Sequence, residues 1–384
     1  MSKNILHICS DFSRQRLYNE LISNLYALGI KQAVYIPVRT AEEVNKYRNQ
    51  DIEVDYHYEY ILKPIYRILF KQKINSVYSN LLKKVDISKI GLSHAHFLFS
   101  DGAVALRLKK SKNIPYIVAV RNTDINIFYK YMLHLRPLAL QILLEAEKII
   151  FITPGYVNLL LDKYIPIKYH QVISQKIEVI PNGVNNFWLE KNTIPKVIDN
   201  ARFRLLYVGD FTSNKNIPTL INAIYILNKQ GIPVTLTLVG GGGNDENTIA
   251  ELLKKDQYSS INYVGRITDS EALRNIYREH NLFVMLSFKE TFGVVYIEAL
   301  SQGLPIIYTK GQGIDGYFKD GYIGYSGDPN QINSVVEKIK QAMENIDSLR
   351  ANIPGIINNF SWAEISKKYL NIYSNITQDN NQFK

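Results

Sequence analysis

Two carboxylates, Glu290 and Glu298, stand eight positions apart in "KETFGVVYIEALSQGLP", Lys289 to Pro305. Between Gly293 and Pro305, Glu298 is the only charged residue, and nearly everything around it is apolar. The run "LFVML" before the segment reads as a strand, "SFKETFG" as a loop and Val294 to Gln302 as a helix. Free backbone N–H groups and the dipole at the start of such a helix, at Phe292 to Val295, attract an anion. Gly293 lets a ligand approach the backbone closely. An unpaired buried carboxylate is costly, and a ligand with paired hydroxyls, such as a ribose, would satisfy Glu298. Phosphate at the helix start, ribose at the inner carboxylate and a hydroxylated group at the outer one describe a nucleotide-sugar. A lysine or arginine paired with Glu298 is the alternative, and the sequence leaves both open.

Three further segments place reactive side chains after strands. In "VGDFTSNKN", Gly209 permits a tight turn and Lys215 is placed to meet a diphosphate as a point charge. The bland alternative is a lysine in solvent. The four glycines of "VGGGGNDE" read as a close-approach loop but match no Walker-type or dinucleotide fingerprint. In "YVGRITD" a strand ends at Arg266, whose guanidinium can stack on a base, bind phosphate or form a surface ion pair. No His/Asp/Cys group shows metal-ligand spacing, so no metal is expected.

Short strands must carry these loops. Candidates in the first half are "NILHIC", "QAVYIPV", "SHAHF", "YIVAV", "KIIFIT" and "IEVIPNG"; in the second, "RLLYVGD", "VTLTLVGGG", "INYVGRI", "LFVML", "PIIYT" and "GYIGYSGD". Helical stretches alternate with them, which implies parallel sheets covered on both faces. Two consecutive series imply two doubly wound domains, with the break in Val184 to Phe203. In such sheets ligands bind outside the carboxyl ends of the strands, and two domains face to face make a cleft.

Composition sets the outer bounds. The 384 residues suffice for two domains, and 46% hydrophobic with 21% charged residues is usual for a globular chain. No apolar run reaches the roughly 18 residues that span a bilayer, and the N-terminus reads as a first strand. The single cysteine, Cys9, excludes internal disulfides, and a cytoplasmic location is expected. Residues 1–200 carry 27 Lys+Arg against 17 Asp+Glu; residues 201–384 carry 18 of each. The excess charge therefore lies in the first half, where a basic face would meet phosphates. Ile61 to Lys84 holds six cations and no acid, with apolar residues at Ile65, Ile68, Leu69, Val77, Leu81 and Leu82. It reads either as a basic amphipathic element on an anionic membrane or as a helix packed on its own sheet with lysines in water.

Taken together, "VIPNGV", "VGDFTSNK", "VGR" and above all "ETFGVVYIEALSQGLPII" resemble glycosyltransferase family 4, the retaining GT-B enzymes, in order and spacing. Glu290 and Glu298 occupy the two positions of that family's E-x7-E signature. The resemblance implies an α/β GT-B fold of two doubly wound Rossmann-like domains facing across a cleft. Residues 1–190 would bind the acceptor, completed by a closing helix at about 360–377, and residues 200–359 the donor. It implies that Glu290 contacts the transferred sugar and Glu298 the ribose. Gly209, Lys215 and the amides of Thr291, Phe292, Gly293 and Val294 would hold the diphosphate, with Arg266 near the base. In the first domain it implies catalytic roles for His96, after a strand that also carries His94, and for Arg121 and Asp124 in "RNTDINIF".

Three positions depart from the family pattern. Asp210 stands where an arginine is usual, Arg121 where many members have histidine, and the first loop, "CSDFSRQR", lacks a glycine pair that Ser10, Ser13 or Arg16 replaces. The expected activity is retaining transfer of a hexosyl group from a nucleoside-diphosphate sugar to a glycan acceptor, lipid-linked, in cell-surface polysaccharide synthesis. No cofactor, metal or nucleic acid is expected, and peripheral attachment to the inner face of the membrane through Ile61 to Lys84 is. The alternatives are a GT-B nucleotide-sugar epimerase or phosphorylase, and a non-catalytic GT-B partner subunit. A nucleic-acid-binding protein would leave the neutral second half and both glutamates unexplained.

Overall fold

The computed structural model describes residues 3–190 and 202–382. Apolar runs rich in Val, Ile, Leu and Tyr form the strands, and every strand pair is parallel. The chain divides into two units.

The first unit comprises Met1–Ile152, Tyr156–Gly183 and Trp362–Lys384. Its strands are β1 (Asn4–Ile8), β2 (Gln32–Val38), β3 (Asp55–Tyr60), β4 (Ile90–Ala95), β5 (Tyr116–Val120), β6 (Lys148–Phe151) and β7 (Ile177–Val179), in the order β3-β2-β1-β4-β5-β6-β7. Among the helices that cover it are α1 (Leu17–Ala27), α2 (Phe70–Lys84), α3 (Ser100–Lys112) and α4 (Arg136–Glu145). One core packs Val77 and Leu81 of α2, Val104 of α3 and Leu143 of α4 on Leu6, Val118 and Ile149. Another lays the chain's last helix, Trp362–Gln382, on the sheet: Trp362, Ile365, Tyr369 and Tyr373 join a cluster with Ile5, Leu92, Ile117 and Ile150.

The second unit comprises Thr153–Gly155 and Val184–Ser361. Its strands are β8 (Phe203–Gly209), β9 (Val234–Gly240), β10 (Ile261–Gly265), β11 (Leu282–Val284), β12 (Ile306–Thr309) and β13 (Gly324–Gly327), in the order β10-β9-β8-β11-β12-β13. In each sheet the first strand lies between the second and the fourth, so the order reverses there. In open sheets of this kind the crevice at the carboxyl ends of those central strands is where ligands bind.

β3 is absent from the strands expected above. It is an edge strand whose side chains are exposed or half-buried, so "DYHYEY" shows no apolar run. The expected break falls largely on residues 191–201, which lie outside the described residues; just before it, Asn185 caps the short helix Asn186–Leu189. No helix of the described residues is long and apolar enough to cross a membrane.

Candidate active site

In the second unit the two loops at the crevice leave β8 and β11. Lys215 comes from the first and Glu290 from the second, and they form an ion pair, Nζ to Oε2 at 2.8 Å. Asn214 ties the loops together: its amide donates to the carbonyl of Lys289 and its side-chain oxygen accepts from the Lys289 N–H. Asn216, in left-handed backbone, starts the next helix and anchors the lysine from behind by donating to the carbonyl of Pro329 at 2.8 Å. The Glu290 backbone is held by Gln312 and Gly313, and its Oε1 accepts from the N–H of Thr291 at 3.1 Å. The carboxylate is thus fixed in place, mostly buried, at the carboxyl edge of the sheet.

Gly293 then reverses the chain into the helix Val294–Ser301. Its φ of 77° lies in the left-handed region, and a Cβ there would collide with the ring of Tyr296. Phe292 is buried against Tyr317 and Phe360, while Val294 opens the helix at the surface. Phe292 therefore pins the helix start, and glycine is the residue that fits the turn beside it.

Glu298 lies in the second turn of that helix. No cation lies within ion-pairing distance of it among the described residues; its partner is the Tyr277 hydroxyl, at 3.2 Å. Burial pushes its carboxyl up to about 7, which the Tyr277 hydrogen bond partly offsets. The lysine or arginine partner allowed by the sequence is not there, so the inner carboxylate keeps acceptor capacity to offer a ligand.

Arg266, after β10, and Asp210, just after β8, pair at 2.8 Å, both well exposed. Arg266 also donates to the carbonyl of Gly241. Asp210 therefore turns the guanidinium toward the glycine-rich loop. Gly209, which ends β8, faces Gly240 across the ladder, where a Cβ on Gly240 would overlap the Gly209 carbonyl.

In the first unit β1 and β4 pair His7 with His94, and His96 follows on the same face. His7 Nδ1 lies 3.1 Å from His96 Nε2, and His94 Nδ1 lies 2.7 Å from the Tyr373 hydroxyl. All three are buried. Burial lowers His7 to about 3 and holds His94 and His96 well below the usual imidazole range. Their nitrogens lie within 4.8 Å of one another, the one group among the described residues that could hold a metal ion. The expectation of no such group rested on spacing along the chain, which cannot register His7, contributed by a different strand. Two of the six ring nitrogens face each other, a third meets Tyr373, and the rings of His94 and His96 stack at 4.1 Å. The other three ring nitrogens, His7 Nε2, His94 Nε2 and His96 Nδ1, are buried with no hydrogen-bond partner among the described residues.

Arg121 and Asp124 adjoin this cluster. Arg121 Nε donates to the His96 carbonyl, and the guanidinium lies 6.0 Å from the Tyr18 ring. Asp124 is 1% exposed and accepts from the N–H groups of Leu98, Phe99 and Arg121. Burial raises its carboxyl to about 6, against those hydrogen bonds and the Arg121 charge. The structure thus brings His96, Arg121 and Asp124 together, with Asp124 clamping the loops after β4 and β5.

Beside them is a group that sequence reasoning passed over. Asp101, buried in the first turn of α3, accepts from the Ser10 N–H, and Lys73 donates to Ser100 Oγ at 2.6 Å. Burial pushes Asp101 up and Lys73 down, and each charge draws the other back. Of the three residues offered for the first loop, Ser10 is the one at this group; Ser13 bonds to the Glu43 carbonyl and Arg16 lies over the Tyr47 ring. A lone Asp at a helix start carries no signal of such a partner.

Ile61 to Lys84 divides in two. Val77 and Leu81 are buried in the core, Lys73 is committed to Ser100, and Lys84 pairs with Glu59 at 3.1 Å. That half is a helix packed on its own sheet. Ile65, Ile68 and Leu69, before and at the start of α2, are exposed beside Lys63, Arg67 and Lys71.

Two doubly wound parallel sheets, the second carrying its paired carboxylates and lysine at the switch point, define a GT-B glycosyltransferase. The lipopolysaccharide outer core galactosyltransferase WaaB has the same fold, with a TM-score of 0.74, 16% identity and coverage of 97% of this chain and 99% of that one. Residues 15–186 match the Glycosyltransferase Family 4 model and residues 190–354 that of Glycosyl transferases group 1. The chain belongs to this group 1 and family 4 of glycosyltransferases. An uncharacterised glycosyltransferase of Methanocaldococcus jannaschii is 26% identical over 305 residues, 76% of this chain and 78% of its own. The alpha-monoglucosyldiacylglycerol synthase of Acholeplasma laidlawii is 24% identical over 323 residues, 78% and 79% of the two chains.

Proposed function

We propose that this glycosyltransferase moves a hexosyl group, with retention of configuration, from a nucleoside-diphosphate sugar to a lipid-linked glycan in cell-surface polysaccharide synthesis. The observation that carries the donor half is the Lys215–Glu290 pair at the reversal point of the second sheet, ahead of a helix start and the cation-free Glu298. The second unit binds the donor. Lys215 turns to the diphosphate as Glu290 takes up hydroxyls of the sugar. Amides at Phe292 to Val294 receive the phosphate charge, and Glu298 holds the ribose. Arg266, kept beside the glycine loop by Asp210, flanks the base.

The first unit receives the acceptor at the carboxyl edge of its sheet, where His96 and Arg121 shape the floor. The C–O bond from the sugar to the diphosphate breaks, and the acceptor hydroxyl attacks the same face. The leaving phosphate takes the hydroxyl proton. Stabilising that phosphate through fixed dipoles and a lysine is the main source of rate, and the reading calls for no metal. A relative whose name places it on diacylglycerol lipid supports a membrane-borne acceptor, as do the exposed apolar and cationic residues before α2.

The test is a thermal-shift screen of UDP, GDP and ADP and their sugars, then transfer to lipid extracts with the product's anomeric configuration read by NMR. A retained product whose formation EDTA leaves unchanged is expected. An inverted product, or donor hydrolysis with no transfer, would refute the reading. Changing Lys63, Arg67 and Lys71 to Gln should abolish sedimentation with anionic vesicles, since each cation near such a surface contributes about 1 kcal/mol.

A further inference from the structure

A cavity of about 680 Å³ opens on the helical face of the first unit, between α2, α3 and α4. Its apolar wall is Leu69, Phe70, Leu106, Leu135 and Leu138. On α3 the lining residues Ala103, Leu106, Arg107 and Lys110 fall at i, i+3, i+4 and i+7. They form one stripe, about 10 Å long at 1.5 Å per residue. The volume is that of a small-molecule site.

The charge around it has one sign. Lys71, Arg107 and Lys110 line the cavity, and no carboxylate does. Neither Lys71 nor Lys110 has an ion-pair partner among the described residues; Arg107 is held by Asn75 and the Tyr78 ring. At the near end Ile68 is 78% exposed and Leu69 and Leu133 are exposed as well. Apolar side chains that reach water at the mouth of an apolar groove mark a binding surface.

The groove also has a direction. In a parallel sheet the helices that follow β3, β4 and β5 all start at the carboxyl edge. Phe70 and Lys71 begin α2, Ala103 lies in the first turn of α3, and Leu135 precedes α4. One end of the groove therefore lies at the edge to which the proposed function brings the acceptor.

We infer that this groove holds the hydrocarbon chain of the lipid-linked acceptor, with Lys71, at the end by the carboxyl edge, meeting its phosphate. The inference rests on the reading of the chain as a transferase to a lipid-linked acceptor and names the site of the lipid. A hydrocarbon chain fits the apolar wall, and an anionic head fits a rim of cations without acids.

Calorimetry on the full chain with monomeric dodecyl phosphate, inorganic phosphate and neutral dodecyl glucoside tests it. Dodecyl phosphate should bind at least tenfold tighter than inorganic phosphate. Leu69→Glu, at an exposed position, should weaken it at least tenfold. Lys71→Glu should weaken dodecyl phosphate while leaving dodecyl glucoside within twofold. Circular dichroism melting reports that the first unit is folded in every variant, and thermal shifts with UDP, GDP and ADP that the second is. Dodecyl phosphate binding no tighter than inorganic phosphate, or equal binding to Leu69→Glu, overturns the proposal. So does a dimer that Leu69→Glu makes monomeric, which would give the groove to a second copy. Nucleoside-diphosphate binding without amphiphile binding removes the groove and leaves the transferase reading standing. Amphiphile binding that follows the variants, without any nucleotide binding, keeps the groove as an anionic-lipid site and removes the transferase reading.

Discussion

Glu290 and Glu298 are both glutamates of one short segment, yet their surroundings separate their tasks. Glu290 is paired with Lys215 and fixed by backbone groups. Glu290→Gln removes the charge paired with Lys215, and under the proposed function, in which that charge also meets the sugar, transfer should fall by about 100-fold or more, the scale of losing a preorganised polar group. Thermal unfolding should shift little, because the isosteric amide keeps the Thr291 hydrogen bond. Activity within a few-fold of wild type would remove Glu290 from the chemistry. Glu298 should show itself through pH. Its folded-state value near 7 means that the ligand-free protein is partly protonated at neutrality. The ionised form is the stronger acceptor for ribose hydroxyls, so nucleoside-diphosphate affinity should weaken as pH falls through 7, by up to tenfold per unit. Glu298→Gln should flatten that profile. A slope that survives the substitution assigns the titration to another group.

At the level of elements, the β1–β4 ladder brings three histidines together and closes them off. His7 faces Gln32, His94, His96 and Tyr373. An exposed imidazole titrates near 6.5, and burial holds His7 near 3. Below pH 6.5 the unfolded chain binds a proton that the folded chain refuses, so this contribution is present above 6.5 and lost as pH falls toward 3. It amounts to about 1.4 kcal/mol per pH unit. Asp124 and Glu298, raised by burial, act in the opposite sense over their own ranges, so wild type alone does not isolate it. His7→Gln should lose that much less stability per pH unit between 6.5 and 5 in urea unfolding; parallel curves would show that His7 is not held neutral. The ladder also shows what a sequence can disclose. Strands that repeat Val, Ile and Leu announced themselves, and so did a glycine before a helix with glutamates around it. The half-exposed edge strand β3 did not, because no face of it is apolar. Nor did Lys73 with Asp101, or Tyr277 with Glu298, since each joins residues that only the folded sheet makes neighbours. In Ile61 to Lys84 charge and period were plain, but which lysines face water depended on partners elsewhere, Ser100 and Glu59.

At the level of the molecule, the first unit is made from both ends of the chain. Ending the chain at Ser361 deletes Trp362, Ile365, Tyr369 and Tyr373 from its core. Each buried side chain of this size contributes about 1.5–3 kcal/mol. Four of them match the whole stability of a typical domain, about 5–15 kcal/mol. The truncated chain should therefore lose the unfolding transition of its first unit, seen by circular dichroism or as insoluble expression, while the second still responds to nucleoside diphosphates. A truncated chain with both transitions intact would show the last helix to be dispensable. The same arrangement fixes an order of events on the ribosome. The 178 residues Val184–Ser361 lie between the two parts of the first unit, and at about 5–20 residues per second their synthesis takes about 10–35 s. Throughout that interval Ile5, Leu92, Ile117 and Ile150 wait for a covering helix not yet made. The second unit, contiguous apart from three residues already synthesised, can finish first. The nascent chain thus presents a greasy sheet for many seconds, and a holding chaperone should be found on it when translation is stalled before Trp362.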